Sequence, residues 1–205
     1  MSALHCPARI FVARHGEAEY ETDLTSDDGG SLTALGRRQA RELGESLRDR
    51  RIARVWSSPR ARAVQTAEIA AGVLGTDVVV REGLREYAVG DLGAGTAHAP
   101  AAAYFEGVFR RWADGDDSAE IAGGEPVAVT VARVQGVLEA IADEHRGESV
   151  LVISHGGAML ATLPQLAGLP RSAGIGVALP NCGVLELEAD EDGWRIVAWT
   201  GVKFR

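Results

Sequence analysis

The sequence predicts an α/β protein, a three-layer α/β/α sandwich with a mostly parallel central β-sheet. Short apolar runs rich in valine and isoleucine alternate with segments whose apolar residues recur at helical spacing. Apolar runs of this length that end at a glycine are typical of buried strands. A strand-helix-strand-helix-strand order favours parallel strands with helices on both faces of the sheet.

Length and composition favour one globular domain over residues 1–205. Of the 205 residues, 46% are hydrophobic and 24% charged, which suffices for one well-filled core. No apolar run reaches the roughly 18 residues that cross a bilayer. Residues 1–9 also lack a basic region followed by an apolar core. We therefore expect a cytoplasmic protein.

The formal net charge of −8 argues against binding to nucleic acid or to an anionic membrane, because both depend on a basic surface. An anionic substrate would have to be captured by local positive charge. Cys6 and Cys182 show no metal-finger or CxxC spacing, so we expect them to be reduced and structural or incidental.

Two strand-helix units and a third strand are predicted in the first eighty residues. The run 10–13 forms the first strand, and Thr33 is placed to cap the helix that follows. The run 53–57 forms the second strand, and Pro59 is expected to open the second helix. The β-branched residues at 77–80 supply the third strand.

The segment 84–124 interrupts this alternation. Its glycines and prolines allow one regular element, a helix near 101–112. Long insertions of this kind are more often functional than idle, so we interpret the segment as a lid or wall over the site; a flexible surface excursion is the alternative. Its aromatic and basic side chains could cover a substrate, or the aromatic ones could simply pack the helix onto the body: Tyr104, Phe105, Phe109, Arg110, Arg111 and Trp112.

The pattern then resumes with a helix over 125–147, a continuous apolar strand at 150–153 and a helix over about 158–166. Residues 182–188 and 194–200 are expected to form a closing antiparallel pair around a Glu-Asp-Gly turn. This pair could offer a sheet edge to a second copy of the chain, which would make a homodimer.

Two predicted strands end in the same way. Each is followed by a histidine and a glycine, His15-Gly16 and His155-Gly156. In an open α/β sheet the ligand crevice lies beyond the carboxyl ends of the strands, so both imidazoles would face one crevice if the strands are neighbours. Glycine permits close approach of a ligand, and the helix near Gly157 is expected to aim free N–H groups at that point. The pattern predicts an anion site; the alternative is two solvated strand-end turns.

Two arginines would add positive charge to this site. Arg14 precedes His15, and Arg62 falls in the first turns of the second helix. A guanidinium can donate two parallel hydrogen bonds to a phosphate and keeps its charge. The charge of Arg14 should also lower the pKa of His15. Taken singly, Arg60 and Arg62 would be ordinary solvated surface charges.

Six segments, in order and spanning most of the chain, resemble the motifs of the histidine phosphatase superfamily, also called phosphoglycerate mutase-like. They are Arg14-His15-Gly16-Glu17, Leu32-Thr33-Ala34-Leu35-Gly36, Ser57-Ser58-Pro59 through Arg62-Ala63 and Thr66-Ala67, Leu84-Arg85-Glu86 with Gly90, Gly123-Gly124-Glu125, and Ser154-His155-Gly156-Gly157.

The resemblance implies the phosphoglycerate mutase-like fold and a phosphomonoester hydrolase that forms a covalent phosphohistidine. His15 would be the nucleophile, and Glu86 would protonate the leaving alcohol and then help to activate water. Arg14, Arg62 and His155 would hold the phosphoryl oxygens, with His155 better suited as a cation. Neither task needs a cofactor or metal ion, and the expected partner is a phosphorylated small molecule.

Two positions depart from the family pattern. Many members have Ser or Thr, and three residues later a phosphate-holding Asn, where this chain has Ala18 and Glu21. An acid at position 21 would repel a phosphate unless it turns away or meets a cationic part of the substrate. Glu21 is therefore a candidate substrate contact, and the substrate class stays open.

Three other functions are alternatives. One is phosphoglycerate-type mutase activity, although a compact chain with a modified rim favours a phosphatase. Another is a phosphate-binding or interaction module that has lost turnover, suggested by Ala18 and Glu21. The last is a metal site that uses His15, His155 and nearby acids. The presence of both a nucleophile and an acid, Glu86, favours an enzyme over a binding module.

Overall fold

A computed structural model describes residues 6–19, 30–88, 90–91 and 98–200. Within these residues the strands form one six-stranded sheet in the order β3-β2-β4-β1-β5-β6. Their bounds are β1 Ala8–Arg14, β2 Ile52–Ser57, β3 Val78–Val80, β4 Ser149–Ser154, β5 Val184–Asp190 and β6 Gly193–Trp199.

The two strands that carry the histidine motifs are neighbours. β1 pairs with β4 in parallel, and Arg14 lies opposite Ser154 at the end of the ladder. β2 is parallel to β4, and β3 is parallel to β2. β5 runs antiparallel to β1, and β6 antiparallel to β5. The predicted mostly parallel sheet and its closing antiparallel pair are both confirmed.

Helices cover both faces of the sheet, which confirms the three layers. Their bounds are α1 Ala34–Ser46, α2 Ala61–Leu74, α3 His98–Ala113, α4 Val127–Glu144 and α5 Gly156–Leu166. Successive residues of β1 point to opposite faces because side chains alternate along a strand. Ile10 and Val12 pack against residues of α4 and α5, whereas Phe11 and Ala13 pack against residues of α1 and α2.

The start of α1 is locked onto the end of β1. Thr33 caps the helix by accepting a hydrogen bond from the Gly36 N–H, as its sequence position predicts. A Cβ on Gly16 would lie 2.6 Å from the Gly36 carbonyl oxygen, and one on Gly36 would lie 2.0 Å from the Glu17 carbonyl oxygen. Both glycines are therefore needed for the backbones to meet, and this contact fixes the chain directly after His15.

The sequence placed the start of α2 two residues too early. The helix begins at Ala61 with Arg60 as its extended N-cap residue, and Pro59 lies just before the cap. Proline fixes its own φ but does not require that the helix begin there. The predicted end of α4 is also displaced, since the sequence placed it at Gly147. The helix ends three residues earlier, at Glu144, with His145 as its C-cap.

The helix predicted within the insertion exists and is somewhat longer than expected, as α3. Its described side chains pack it onto the body: Trp112 is 1% exposed, and Val108 lies in the same cluster as Val131 of α4 and Ala161 of α5. Tyr104, by contrast, is exposed. The packing role of the aromatic residues is thus supported for Trp112.

Among the described helices, none combines the length and apolar character that a membrane span requires.

Candidate active site

His15 and His155 meet at the carboxyl ends of β1 and β4. The His15 N–H donates to the Ser154 carbonyl oxygen over 3.1 Å, which continues the strand pairing beyond the ladder. The ring centroids of the two histidines are 5.2 Å apart. Both side chains are buried, with relative exposures of 1% and 0%. The structure therefore brings the two predicted residues to one point of the sheet edge.

Neighbouring groups specify which nitrogen of His15 carries the proton. Nδ1 lies 2.7 Å from the Gly16 carbonyl oxygen, which can only accept a hydrogen bond. On the other side of the ring, Arg62 Nε donates to Nε2 over 3.1 Å. Both contacts are satisfied when Nδ1 is protonated and Nε2 has its lone pair. The arrangement favours the neutral imidazole with a nucleophilic Nε2.

The pKa of His15 also favours the neutral imidazole. Burial lowers the pKa of His15 well below its ordinary value, and the positive charge of Arg62 lowers it further. The hydrogen bond to Gly16 raises the pKa, while Arg14 lowers it. The predicted effect of Arg14 has the expected direction, but burial and Arg62 are the larger causes. His15 is therefore neutral at pH values where an exposed histidine would be charged.

Arg62 lies on the second helix, which is bonded to the chain directly after the first strand. It lies in the first turn of α2 and is only 4% exposed. Thr66, one turn later, accepts a hydrogen bond from the Gly16 N–H and donates one to the Arg62 carbonyl oxygen. The backbone after His15 is thereby tied to the helix that carries Arg62. The interpretation of Arg62 as a solvated surface charge is wrong.

His155 is the N-cap residue of α5 and points at Ser58, which follows β2. Its Nε2 lies 2.7 Å from Ser58 Oγ, and the Arg60 N–H donates to the same hydroxyl. Within the described part of the chain, Nδ1 of His155 is buried and has no hydrogen-bond partner. A buried polar atom without a partner is costly. Nδ1 is therefore a candidate contact for a bound oxygen.

The expectation that His155 serves as a cation is not supported by the site without ligand. Burial lowers its pKa well below the ordinary value, and Arg62, His15, Arg60 and Arg133 add to that effect in decreasing order. The sequence suggested a cation from the charge of the ligand alone. It did not reveal that the ring is fully buried among arginines.

Glu86 lies at the N-terminus of α5. Its carboxylate accepts hydrogen bonds from the N–H groups of Gly157 (3.0 Å), Ala158 (2.6 Å) and Tyr87 (3.1 Å). Burial raises the pKa of Glu86, and the three N–H groups oppose that shift. Two of the α5 N–H groups that were expected to face a phosphate, those of Gly157 and Ala158, are thus occupied by this carboxylate. Glu86 is thereby fixed at the N-terminus of the helix that His155 caps.

Arg133 of α4 holds the loop that carries Glu86. Its guanidinium donates to the carbonyl oxygens of Gly83 (3.0 Å), Arg85 (2.6 Å) and Glu86 (2.9 Å). It also pairs with Glu125, and both side chains are mostly buried, at 16% and 14% exposure. Burial raises the pKa of Glu125, but Arg133 and further partners hold it below its ordinary value.

A second hydrogen bond ties the Glu86 loop to the sheet, since Ser154 Oγ donates to the Leu84 carbonyl oxygen over 2.8 Å. Sequence reasoning missed Arg133 and assigned no role to Ser58, Thr66 or Ser154. The only available signal was that Glu125, Ser58, Thr66 and Ser154 fall within the matched motifs.

The remaining predicted residues lie around this centre or outside the described residues. Arg14 ends β1 and donates from Nη1 to the Leu179 carbonyl oxygen over 3.0 Å. Gly156 begins α5 with room for a side chain, since a Cβ there would lie 3.6 Å from Arg14 Cδ. Ala18 is fully buried and bridges to Leu32. Glu21 lies outside the described residues, so its expected contact with substrate stays a prediction.

The structure also bears on metal binding, although only for the residues it describes. Among them, no three His, Cys, Asp or Glu side chains come together in a manner that could hold a metal ion.

Comparison with protein families gives a match over nearly the whole chain. The sequence model described as "Histidine phosphatase superfamily (branch 1)" matches residues 10–201. Among curated proteins, a "Probable phosphoglycerate mutase GpmB" of Salmonella choleraesuis is 29% identical over 193 residues, which are 93% of this chain and 89% of that protein.

Solved structures show the same fold. A mycobacterial glucosyl-3-phosphoglycerate phosphatase, in complex with VO3, superposes with a TM-score of 0.77 at 28% identity and covers 93% of this chain and 98% of its own. Bacillus stearothermophilus YhfR has a TM-score of 0.80 at 23% identity, covering 96% and 98%. A phosphoserine phosphatase of Entamoeba histolytica, with phosphoserine, has a TM-score of 0.79 at 19% identity, covering 95% and 97%. The last two likenesses concern the fold alone.

Proposed function

The chain belongs to the histidine phosphatase superfamily, and on that premise we propose that it hydrolyses phosphate monoesters through a phosphohistidine at His15. The single observation that carries this proposal is the pair of hydrogen bonds at the His15 ring. One leaves the proton on Nδ1, and the other places the Arg62 guanidinium against Nε2. A nucleophile and an oxyanion-binding cation are therefore in direct contact.

In the first step the lone pair of His15 Nε2 attacks phosphorus, and the phosphate group takes the place of the Arg62 hydrogen bond. The P–O ester bond breaks, and its electron pair stays on the leaving oxygen, which receives the proton of the Glu86 carboxyl. Arg14, Arg62 and Nδ1 of His155 hold the phosphoryl oxygens. The Nδ1–H of His15 stays on the Gly16 carbonyl oxygen and so stabilises the phosphorylated ring.

In the second step a water oxygen attacks phosphorus and its proton passes to the Glu86 carboxylate. The N–P bond breaks, and its electron pair returns to Nε2. Glu86 thus acts first as an acid and then as a base, and its raised pKa favours the protonated form that the first step needs. General acid catalysis of this kind is typically worth about 10²–10⁴-fold.

Mutase activity is the second candidate, favoured by the resemblance to the probable phosphoglycerate mutase. A mutase must retain the first product so that it can be phosphorylated again. The presence of Glu21, where an Asn would hold the phosphate, argues for release instead. The two activities are separated by the ratio of inorganic phosphate released to phosphate transferred, measured with phosphoglycerate as substrate.

The test of the chemistry is to trap the enzyme with radiolabelled phosphoramidate or 4-nitrophenyl phosphate and to map the labelled peptide. We expect an acid-labile phosphate on His15, absent in His15→Asn. A wild-type enzyme that hydrolyses the ester without any labelled histidine would overturn the proposal. Undiminished hydrolysis in excess chelator is also expected, and loss of activity that zinc or magnesium restores would favour the metal-site alternative.

A further inference from the structure

A surface cavity of about 180 Å³ lies beside the candidate acid. Its walls come from four places: Tyr87 directly after Glu86, Phe105 and Phe109 on α3, Leu160 with Gly157 on α5, and the segment 174–177 that follows α5. The three aromatic rings form one cluster, in which Tyr87 meets Phe105 and Phe109 edge to face at centroid distances of 5.6 and 5.0 Å. The aromatic part of the cavity wall is therefore one packed cluster.

Gly157 places this cavity next to the Glu86 carboxyl. The residue forms part of the cavity wall and donates its N–H to Glu86 Oε2 over 3.0 Å. A Cβ at this position would lie 2.9 Å from Glu86 Oε1. Since Glu86 would donate its proton to the leaving oxygen, the rest of the leaving alcohol must lie close to this carboxyl. Two residues of the cavity lining, Gly157 and Tyr87, donate their N–H groups to this carboxyl, so the cavity lies one residue away from it.

The chemistry of the lining selects among alcohols. The walls are aromatic, aliphatic and glycine residues, and Glu106 at the exposed rim is the one charged residue among those described in the lining. No arginine or lysine of the described residues lines the cavity. A carboxylate or second phosphate there would lose its hydration without gaining a cationic partner in the lining, and Glu106 at the rim, although paired with Arg110, adds no attraction for an anion.

We propose that this aromatic cavity binds the leaving group of the substrate, and that the protein prefers phosphate monoesters whose alcohol carries an uncharged, apolar group. The inference rests on the proposed function, because it assumes that Glu86 protonates the leaving oxygen. It separates this chain from proteins whose named substrates, such as phosphoserine, carry a charged leaving group.

The test compares n-alkyl phosphates from ethyl to hexyl with alkyl phosphates of the same length that end in a carboxylate. We expect kcat/KM to rise about three- to fourfold per methylene until the cavity is filled. The terminal carboxylate should lower kcat/KM about 100-fold relative to the matched apolar ester, because it must be desolvated beside Glu106. Val177→Trp, at the cavity wall, should abolish the dependence on chain length.

A charge-reversal variant keeps the test independent of core packing. Glu106 is exposed and pairs with Arg110 on the same helix, so Glu106→Lys should fold normally. It is expected to raise kcat/KM for the carboxylate esters about tenfold and to change the apolar series little. Glu139→Lys, an exposed site on α4, is the matched control and should change neither series.

Labelling with phosphoramidate, which has no alcohol to fill the cavity, tests the phosphohistidine chemistry without the cavity. It therefore distinguishes failure of the leaving-group inference from failure of the proposed function. A labelled His15 together with a flat chain-length series, or with equal rates for charged and apolar esters, would overturn the leaving-group inference alone. An unlabelled His15 and no hydrolysis of any ester would overturn the proposed function itself.

Discussion

Arg62 donates a hydrogen bond from Nε directly to Nε2 of His15, over 3.1 Å between two buried side chains. The cation that would bind the phosphoryl group thus also keeps the nucleophile unprotonated. Lysine could supply the charge but not the planar array of donors. We expect Arg62→Lys to lower kcat for 4-nitrophenyl phosphate about 10²–10³-fold, the usual effect of losing one oxyanion-binding group.

The rate of phosphohistidine formation in a single turnover should fall in parallel in Arg62→Lys. Arg48→Lys is the matched control and should leave kcat unchanged. Arg48 forms an exposed pair with Glu45, and it precedes the amino end of β2, whereas the candidate site lies at the carboxyl ends of the strands. If Arg62→Lys kept kcat within a factor of two, the proposed role of the guanidinium fork would be wrong.

The two buried histidines make stability depend on pH. In the folded protein the pKa of each lies well below the ordinary value of 6.5. At pH values between the lowered pKa and 6.5, the unfolded chain therefore binds more protons than the folded one. The stabilisation is complete above about pH 6.5 and is lost as the pH falls below it. The free energy of unfolding should decrease by about 1.4 kcal/mol per pH unit for each histidine.

Urea unfolding of the wild type and of His155→Asn over a series of pH values would measure this effect. The variant lacks one of the two groups, so its stability should fall less steeply below pH 6.5. Glu86 acts in the opposite sense, because its raised pKa stabilises the folded state as the pH falls, but it is common to both proteins. Parallel curves would contradict the assignment of a neutral, buried His155.

A substitution at Glu86 should show its effect through the leaving group. Gln can still accept hydrogen bonds but has no acidic proton, so an alkyl phosphate, whose alcohol leaves poorly, should react about 10²–10⁴-fold more slowly with Glu86→Gln. 4-Nitrophenol needs little protonation, so that ester should lose much less. Equal losses for the two esters would assign Glu86 a purely structural role.

Much of this site follows from local sequence. A continuous apolar run followed by His-Gly predicts a buried strand with a histidine at its carboxyl end, and the parallel pairing of β1 and β4 then brings the two rings together. Thr33 caps α1 as its position predicts. These features depend on periodicity and on short-range hydrogen bonds, which a sequence displays directly.

Features that depend on packing between distant segments could not be predicted in this way. The sequence predicts the N-terminus of α5 and singles out Glu86. It does not reveal that the helix N-terminus donates hydrogen bonds to Glu86, because the two are 71 residues apart. The contacts of Arg133 with three carbonyl oxygens likewise arise only when α4 packs beside the Glu86 loop. The pKa direction of His155 depends on its complete burial, which no local pattern reveals.

Arg133 is expected to act as a positioning residue. Arg133→Met would remove the ties to the Glu86 loop and the main partner of the mostly buried Glu125. We expect a loss of about 3 kcal/mol in the free energy of unfolding, as for other broken buried pairs. Kinetically, kcat should fall more for an alkyl phosphate than for 4-nitrophenyl phosphate, because the displaced group is the acid.

Two further variants separate position from stability. Arg54→Met removes an exposed pair with Glu144 and should cost less than about 1 kcal/mol. Adding Glu125→Leu to Arg133→Met should recover part of the stability but not the rate with the alkyl ester. Recovery of both would show that Arg133 affects the reaction only through folding.

Gly157 is the tightest point between the acid and the aromatic cluster. A Cβ there would lie 2.1 Å from Cε1 of Tyr87 and 2.9 Å from Glu86 Oε1, so both groups must move in Gly157→Ala. We expect a destabilisation of about 1–3 kcal/mol from overpacking and a lower kcat. Gly136→Ala is the matched control: it lies within α4 with nothing within 4 Å of the added Cβ, so alanine should stabilise the helix by about 0.5–1 kcal/mol. Urea unfolding and kcat for an alkyl phosphate would be measured for both variants, and a Gly157→Ala protein as stable and active as Gly136→Ala would show that the contact between α5 and Tyr87 does not fix the acid.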